Sequence, residues 1–551
     1  MMNITQITKE TGVTVKADSK TKETFSRDTS LFQVHPEAVV FPESASDVEK
    51  IVSYVARKKK DNPYLSITGR SAGTDMTGGP LNDSLIMSCT EHLNVVLELS
   101  DDHAVVQPGV YYRDFEKKLT PDHLTMPVYP ASKSIAALGG MVMNNCGGEK
   151  TLRYGQMRDF VNAVKMVLAD GKEYLFGPMN REELEGVKSQ DNFIGDIYRR
   201  MHTLLEDNYD LIKAAKPSTT KNSSGYALWD VWDRESGVFD MSQLFVGSQG
   251  TLGMMTEANV RLIKKKPRTR LVSVFFKDWD AVPDLVNRLL PLDPDSLEVF
   301  DDQTLKLGLR FMPEIARKVG SNFFSFAARF LPEAWIGVKM LGIPKLILLV
   351  ELAEDTEEEL DNKTKQVEKV LQDFDAYSRT LYEEEEQEKY WVMRRQSFNL
   401  LREHVKDKQT APFIDDFCIK PEDIPEFLPQ AIDILEGSDI AVNIAGHAGN
   451  GNFHIIPLMD LTTDAQKDKI MAVADEFYDL VISYGGTITA EHNDGIVRTP
   501  FIEKMYGEEV YKLFEEVKMI FDPENIFNPG KKIGGTKEYA RKHISAKKNH
   551  K

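Results

Sequence analysis

Cysteine is scarce in this chain. Cys89, Cys146 and Cys418 are the only three in 551 residues, far apart and in no CxxC pattern. That excludes a disulfide scaffold and a self-contained four-cysteine iron–sulfur cluster, and it suits a reducing compartment, so a cytoplasmic location is expected. Long apolar runs are missing as well: none reaches the roughly 18 uninterrupted residues that a membrane span needs. The opening MMNITQITKETG lacks the basic-then-apolar layout of a signal peptide. Positive charge is in deficit, with 68 Lys and Arg against 86 Asp and Glu, a net charge of −18. Such a surface repels phosphate backbones, and no nucleic-acid partner is expected. Neither GxxxxGK[ST] nor a strand-to-helix GxGxxG occurs, which disfavours an NTPase or an ordinary NAD Rossmann site.

What is present is core-forming material. Apolar residues make up 41% of the chain, enough for more than one domain, and the length alone suggests about three to four units. SASDVEKIVSYVARKKK predicts a helix, with Ser44 or Ser46 as its N-cap and Val48, Ile51, Val52 and Val55 at helical spacing. LSIT, SLIMS, NVVLEL and AVVQPGV read as strands between glycine-rich turns. NAVKMVLADGKEYLF reads as a hairpin turning at Asp170 and Gly171. After Arg261 the pattern changes: KLILLVELAED is a strand, and the stretch after it puts Leu360, Val367, Val370, Leu371 and Phe374 on one helical stripe. IAVNIAGHAG and NFHIIPL predict neighbouring strands, followed by an amphipathic helix ending at Gly485 and Gly486. The expected organisation is an N-terminal segment (1–33), a first domain (34–265), a second α+β domain (266–512), a returning segment (513–535) and a basic, solvated tail (536–551). The tail carries Lys537, Arg541, Lys542, Lys547, Lys548 and Lys551 against Glu538 alone. Residues 311–344 mix Phe, Trp, Leu, Ile and Lys without a clean period and read as an insertion, with a partner surface or an interfacial membrane segment as alternatives.

Two segments hold more glycines than ordinary turns need. TGRSAGTDMTGGP contains Gly69, Arg70, Ser71, Ala72, Gly73 and Thr74; PASKSIAALGGMVMNNCGGEKTLRYG contains Ser134, Gly139, Gly140, Asn144, Gly147 and Tyr154. Glycine lets backbone N–H groups approach and point at phosphate oxygens, and Arg70 could support that anion site.

These segments, with HPEAVVFPESASDVEKIV and LFVGSQGTLGMMTEA, resemble the FAD-binding domain of the vanillyl-alcohol-oxidase (PCMH-type) superfamily. The arrangement is nearest the group holding D-lactate dehydrogenase, the glycolate oxidase flavin subunit and D-2-hydroxyglutarate dehydrogenase. The resemblance covers roughly residues 34 to 535, with several motifs in the family's order. It implies an α+β fold: a two-subdomain PCMH-type FAD-binding domain plus a ferredoxin-like α+β cap. It also implies that Gly69 to Thr74 and Ser134 hold the pyrophosphate, that Gly139, Gly140, Asn144 and Gly147 line the flavin, and that Gly253 and Met254 lie near the adenine or the ring edge. Asn222, Gly225 and Tyr226 would sit beside the cofactor, and Asn528 would return to it. Some relatives attach flavin through a histidine in the first glycine loop; TGRSAGT has none, so non-covalent FAD is expected.

GHAGNGNFH sets His447 and His454 on either side of a tight glycine connection, and GTITAEHNDG supplies Glu491 and His492. Two strands joined by such a turn can bring both imidazoles to one face. Two neutral histidines and a carboxylate suit one divalent metal, Zn, Mn or Fe, with positions left for substrate. The family's metal-dependent members carry GHxGDGNxH and a later EH pair; position 450 is Asn here where they often have Asp. His492 is the natural general base, since imidazole titrates near working pH. In WVMRRQSF, which resembles the family's W-x-x-R pattern, Arg394 and then Arg395 are candidates to hold a substrate carboxylate.

The expected activity is FAD-dependent, metal-assisted oxidation of a small D-2-hydroxy acid such as D-lactate, glycolate or D-2-hydroxyglutarate. An alcohol or sugar oxidase of the same superfamily, a non-catalytic flavin-binding electron-transfer subunit and a metal hydrolase on a flavin-like scaffold stay open. A separate redox acceptor is expected, whether quinone, cytochrome, electron-transfer flavoprotein or iron–sulfur protein. A homodimer and peripheral contact with the inner face of a membrane also stay open.

Overall fold

The computed structural model describes residues 4–318, 322–404 and 408–546. Strands β1 (Thr14–Lys16), β2 (Ala38–Phe41), β3 (Ile67–Arg70) and β4 (Leu85–Ser88) form a sheet ordered β1-β2-β4-β3. In it β2 and β3 run parallel to β4, and β1 runs antiparallel to β2. Helix α1 (Ala45–Lys58) starts where Ser44 Oγ accepts the Asp47 N–H, and it buries Val48, Ile51, Val52 and Val55. A second, antiparallel sheet holds β5 (Val96–Leu99), β6 (His103–Val106), β7 (Val161–Val167), β8 (Glu173–Phe176) and β9 (Met254–Arg261), ordered β5-β6-β9-β7-β8. The β7–β8 turn is at Asp170–Gly171 as expected. Gly171 has φ 76°, and a Cβ there would strike Ser53 of α1, so turn geometry and packing both demand glycine. Helix α2 (Leu138–Asn144) carries the second glycine segment.

The second half is one eight-stranded antiparallel sheet. Its strands are β10 (Arg268–Phe276), β11 (Ser296–Asp301), β12 (Leu346–Glu354), β13 (Tyr377–Leu381), β14 (Gln409–Thr410), β15 (Phe417–Cys418), β16 (Ala441–His447) and β17 (Asn452–Met459). They are ordered β13-β10-β12-β11-β16-β17-β14, with β15 also pairing β17. Its helices include α3 (Val282–Leu289), α4 (Leu331–Met340), α5 (Glu357–Leu371), α6 (Glu384–His404), α7 (Ile424–Gly437) and α8 (Asp464–Ser483), with three short ones between Asp302 and Ala328. Period-two alternation divides the sheet. Val272, Val274, Leu348 and Val350 pack under α3, α5, α7 and α8. Leu271, Phe275, Phe300, Leu349 and Ala445 face the other way, against Tyr390 and Trp391 of α6 and Met340 of α4. That second face carries Ala445 and His454, which line the cavity beside the glycine segments.

The chain then recrosses. Val510, Leu513, Phe514, Val517 and Phe521 of helix Ile502–Phe521 join the first domain's core, and Phe527 bridges Ile67 of β3. The solvated tail expected from 536 is corrected for its described part. Residues Lys537–His543 form α9, capped by Thr536, with Ala540 and Ile544 buried against the second domain. Lys537 pairs with Asp475 and Arg541 with Asp468, both on α8, so two apolar contacts and two ion pairs hold this segment down. Lys547, Lys548 and Lys551 lie outside the described residues. No helix among the described residues is long and apolar enough to cross a membrane.

Candidate flavin and metal site

A single cavity runs between the two halves. One end is walled by Gly69, Arg70, Ser71, Ala72, Gly73 and Thr74, which leave β3, and by Gly253 and Met254, which enter β9. Ser134, Gly139, Gly140 and Asn144 form the wall at α2. Gly140 presents an open face: a Cβ there would meet nothing nearer than Ser71 Cβ at 3.8 Å. Arg70 is buried; its Nη2 donates to the Arg27 carbonyl at 2.7 Å, while its Nη1 has no hydrogen-bond partner. A buried guanidinium N–H without an acceptor costs free energy that an anion in the cavity would return. Burial with Asp75 alongside lifts the nearby Asp28 carboxyl to about 7. The open glycine wall and the orphaned arginine donor fit a pyrophosphate-bearing cofactor.

Three expected cofactor residues lie elsewhere. Asn528 is buried behind the wall, where Oδ1 accepts from Thr68 Oγ1 at 2.9 Å and Nδ2 donates to the Gly79 and Gln249 carbonyls. It ties the returning segment to the first glycine segment and to the turn at Gln249. Tyr154 sits half-buried on the short helix Thr151–Tyr154, off the cavity lining. Gly147 backs onto the other end of the site: a Cβ there would lie 2.8 Å from Glu491 Oε2 and 2.9 Å from Thr151 Oγ1. Asn222 and Tyr226 also act as ties, through Thr487 and Thr251.

The other end of the cavity is lined by Arg394, Arg395, His454, Glu491 and His492. In β16 and β17, Ala445 pairs with His454 and His447 with Asn452, so both histidines share the face toward the cofactor domain. Three imidazole Nε2 atoms surround Glu491 Oε1: His447 at 3.3 Å, His454 at 3.4 Å and His492 at 3.9 Å. Each ring is fixed through its other nitrogen. His447 Nδ1 meets Glu298 Oε1 at 2.6 Å, His454 Nδ1 the Asp415 carbonyl at 2.9 Å, and His492 Nδ1 Asp415 Oδ2 at 3.0 Å. All these partners are acceptors, so each Nδ1 carries a hydrogen and each Nε2 faces the carboxylate, as an N–H donor when the ring is protonated and as a lone pair open to a metal when it is neutral. A buried carboxylate needs a positive charge beside it. Lys221 supplies one on the far side, donating from Nζ to Glu491 Oε2 at 3.0 Å and leaving Oε1 to the imidazoles. The donor set of two imidazoles and a carboxylate oxygen, each held by an outer partner, fits a divalent metal.

Charge follows geometry. Burial opposes ionisation of Glu491, but Lys221 and His447 hold it well below the usual carboxylate range. Burial depresses His454. In His447 the Glu298 carboxylate outweighs burial and raises the ring. In His492 the Asp416 and Asp415 carboxylates do the same, lifting it to about 9. A metal cation beside these nitrogens would act in the opposite direction. Asp416 also lies with His454, Glu491 and His492 in a group whose donor atoms fall within 4.8 Å of one another. Its Oδ2 already accepts the N–H groups of Ala490, Glu491 and His492 and the hydroxyl of Thr489, and its Oδ1 accepts Asn452 Nδ2. Asp416 therefore shapes the loop that aims Glu491 and His492. Asn450 turns onto Thr220, away from the histidines.

The two candidate arginines differ. Arg395 forks onto Glu149, with Nε 3.1 Å from Oε2 and Nη2 on Oε1, and so joins α6 to the flavin domain. Arg394 ion-pairs with Glu298 at 3.3 Å, sharing the carboxylate that orients His447. Glu298, Asp415, Asp416 and Lys221 were not singled out from the sequence, although Lys221 opens the KNSSGYAL segment that holds Asn222, Gly225 and Tyr226; strand register alone brings Glu298 beneath His447.

The fold and the cavity are those of an FAD-binding protein. Residues 265–532 match the C-terminal domain of the FAD linked oxidases and residues 36–176 an FAD binding domain, and the chain belongs to the FAD-linked oxidases. It is 27% identical over 524 residues to a D-2-hydroxyglutarate dehydrogenase of Pseudomonas putida, covering 94% of this chain and 50% of that protein. It is also 27% identical to the glycolate oxidase subunit GlcD of Bacillus subtilis, covering 94% and 93%. The chain thus spans about half the length of some curated relatives it matches. Solved p-cresol methylhydroxylase superposes with a TM-score of 0.65 at 17% identity, covering 94% of this chain and 93% of that one, a likeness of fold that agrees with the PCMH-type architecture expected.

Proposed function

We propose that this chain is an FAD-dependent, metal-assisted dehydrogenase of small D-2-hydroxy acids, with FAD held non-covalently. The observation that carries the reading is the convergence of His447, His454 and His492 on Glu491, whose carboxylate lines the same cavity as the glycine wall with Arg70. FAD held along the glycine wall with Arg70 would supply a hydride acceptor, and a divalent metal held by His447, His454 and Glu491 would supply a Lewis acid that lowers the pKa of the substrate hydroxyl. Arg394 holds the substrate carboxylate. His492, its Nδ1–H pinned by Asp415, accepts the hydroxyl proton at Nε2. The names of the relatives support a 2-hydroxy acid as substrate. The test is an anaerobic screen of D- and L-2-hydroxy acids, including lactate, glycolate and 2-hydroxyglutarate, that follows flavin absorbance. Bleaching by D-acids, or by achiral glycolate, and its loss after metal chelation, are expected. A yellow protein that no 2-hydroxy acid bleaches, or one whose bleaching survives complete metal removal, overturns the reading.

A further inference from the structure

Helix α4 is built the wrong way round for a helix facing water. Residues four and three apart share a helical face, and Leu331, Trp335 and Val338 form such a stripe. That stripe points outward: Leu331 is 68%, Trp335 61% and Val338 62% exposed. The inward side carries Met340 and Ile336, packed on Tyr390, together with Glu333, which is bonded to Lys389, Arg379 and the Tyr390 hydroxyl. A water-facing helix puts its apolar stripe on the core and its charge outside; here the glutamate is inside and the apolar stripe outside.

The apolar surface continues beyond the helix. Leu341, 94% exposed, sits at φ 58° and ψ 33°, a left-handed conformation that costs a leucine strain, and Ile343 is half exposed. With Phe324, six of the sixteen large apolar side chains exposed among the described residues fall between positions 324 and 343. An apolar concentration of this kind marks a contact surface rather than scatter.

Charge indicates what is contacted. The whole chain carries −18, yet residues 305–345 hold seven lysines and arginines against two glutamates, one of them Glu333 on the inner face. Lys339 and Lys345 are exposed at either end of the Leu341–Ile343 turn. A second copy would bring this basic segment against itself, whereas anionic headgroups complement it. Tryptophan between apolar side chains with lysines at the margin is the composition of a helix lying in the bilayer interface, where the ring sits at headgroup depth and lysine stems reach back to phosphates. We propose that the outer face of α4, with Leu341 and Ile343, docks this chain on an anionic lipid bilayer surface.

The FAD-loaded full chain is centrifuged with vesicles of phosphatidylcholine alone and of phosphatidylcholine with an equal part of phosphatidylglycerol. Wild type is expected to co-sediment with the anionic vesicles, and a Trp335→Phe variant to lack the lipid-induced blue shift of fluorescence that wild type shows. A Leu331→Ser, Trp335→Ser, Val338→Ser triple variant should stay in solution with unchanged flavin absorbance. Lys339→Glu with Lys345→Glu should weaken binding to anionic vesicles by roughly tenfold or more. Equal sedimentation of wild type and triple variant, or no sedimentation of wild type, overturns the proposal. A wild-type dimer that the triple variant dissolves to monomers, seen by analytical ultracentrifugation, also overturns it, since the occupant would then be a second copy.

Discussion

At the residue scale the site depends on one glycine that binds no ligand. Gly147 lies against Glu491, and an added Cβ would sit 2.8 Å from Oε2, pushing the carboxylate out of the position that Lys221 and the imidazoles define. Gly147→Ala should therefore lower metal affinity by roughly 10–100-fold, the range for disturbing outer-shell support, while FAD absorbance is kept. His492→Ala should behave oppositely, keeping metal but slowing flavin reduction by roughly 10²–10⁴-fold. Metal analysis beside stopped-flow flavin absorbance separates the two, and full metal occupancy in Gly147→Ala would refute the coupling. The motif residues were legible because glycine-flanked histidines are rare and local. Glu298, Asp415 and Lys221 were not, because nothing local sets them apart from other polar residues and each partner lies at least 77 positions away. Gly73 shows a subtler limit. With φ 68°, a Cβ there would strike the Arg70 guanidinium, a contact that the glycine-rich motif does not reveal.

At the element scale, α6 is bound to the flavin domain by the fork between Arg395 and Glu149. Burial opposes the Glu149 charge, but Arg395 prevails and holds the carboxyl at about 2 against an ordinary 4.5. A carboxyl depressed by folding adds stability that is fully present above the unfolded value and is lost as pH falls from 4.5 toward 2. The contribution at neutral pH is on the order of 3 kcal/mol. Glu149→Gln should lower the urea midpoint at about pH 7, and the gap from wild type should narrow through about pH 3 and close toward about pH 2. A gap that persists unchanged in acid would mean that packing rather than the carboxylate's charge makes the tie. The long amphipathic elements, α1 and α5, were readable in advance because their stripes face a core. Residues 311–344 gave no clean period because α4 is one of several short helices and its exposed face is apolar.

At the scale of the whole molecule the open question is where the electrons go. Cys89, Cys146 and Cys418 are all buried and lie on separate elements, so these 551 residues cannot assemble a four-cysteine cluster to relay charge from reduced flavin. The acceptor must come from outside them, as oxygen, a small carrier or another protein or domain. The described part of the basic tail is not free to recruit one, since Lys537 and Arg541 are committed to α8. A redox partner presented at a lipid surface is compatible with the outer face of α4, and the two questions can be separated in one experiment. Substrate-reduced enzyme is mixed with air, with a soluble dye, or with native membranes under nitrogen. Slow reoxidation by air and fast reoxidation by dye and membranes are expected. The Leu331→Ser, Trp335→Ser, Val338→Ser variant should keep the dye rate and lose the membrane rate. Reoxidation by air that matches turnover would make oxygen the acceptor and remove the need for a partner. A variant that keeps the membrane rate would show that the electron path does not depend on α4.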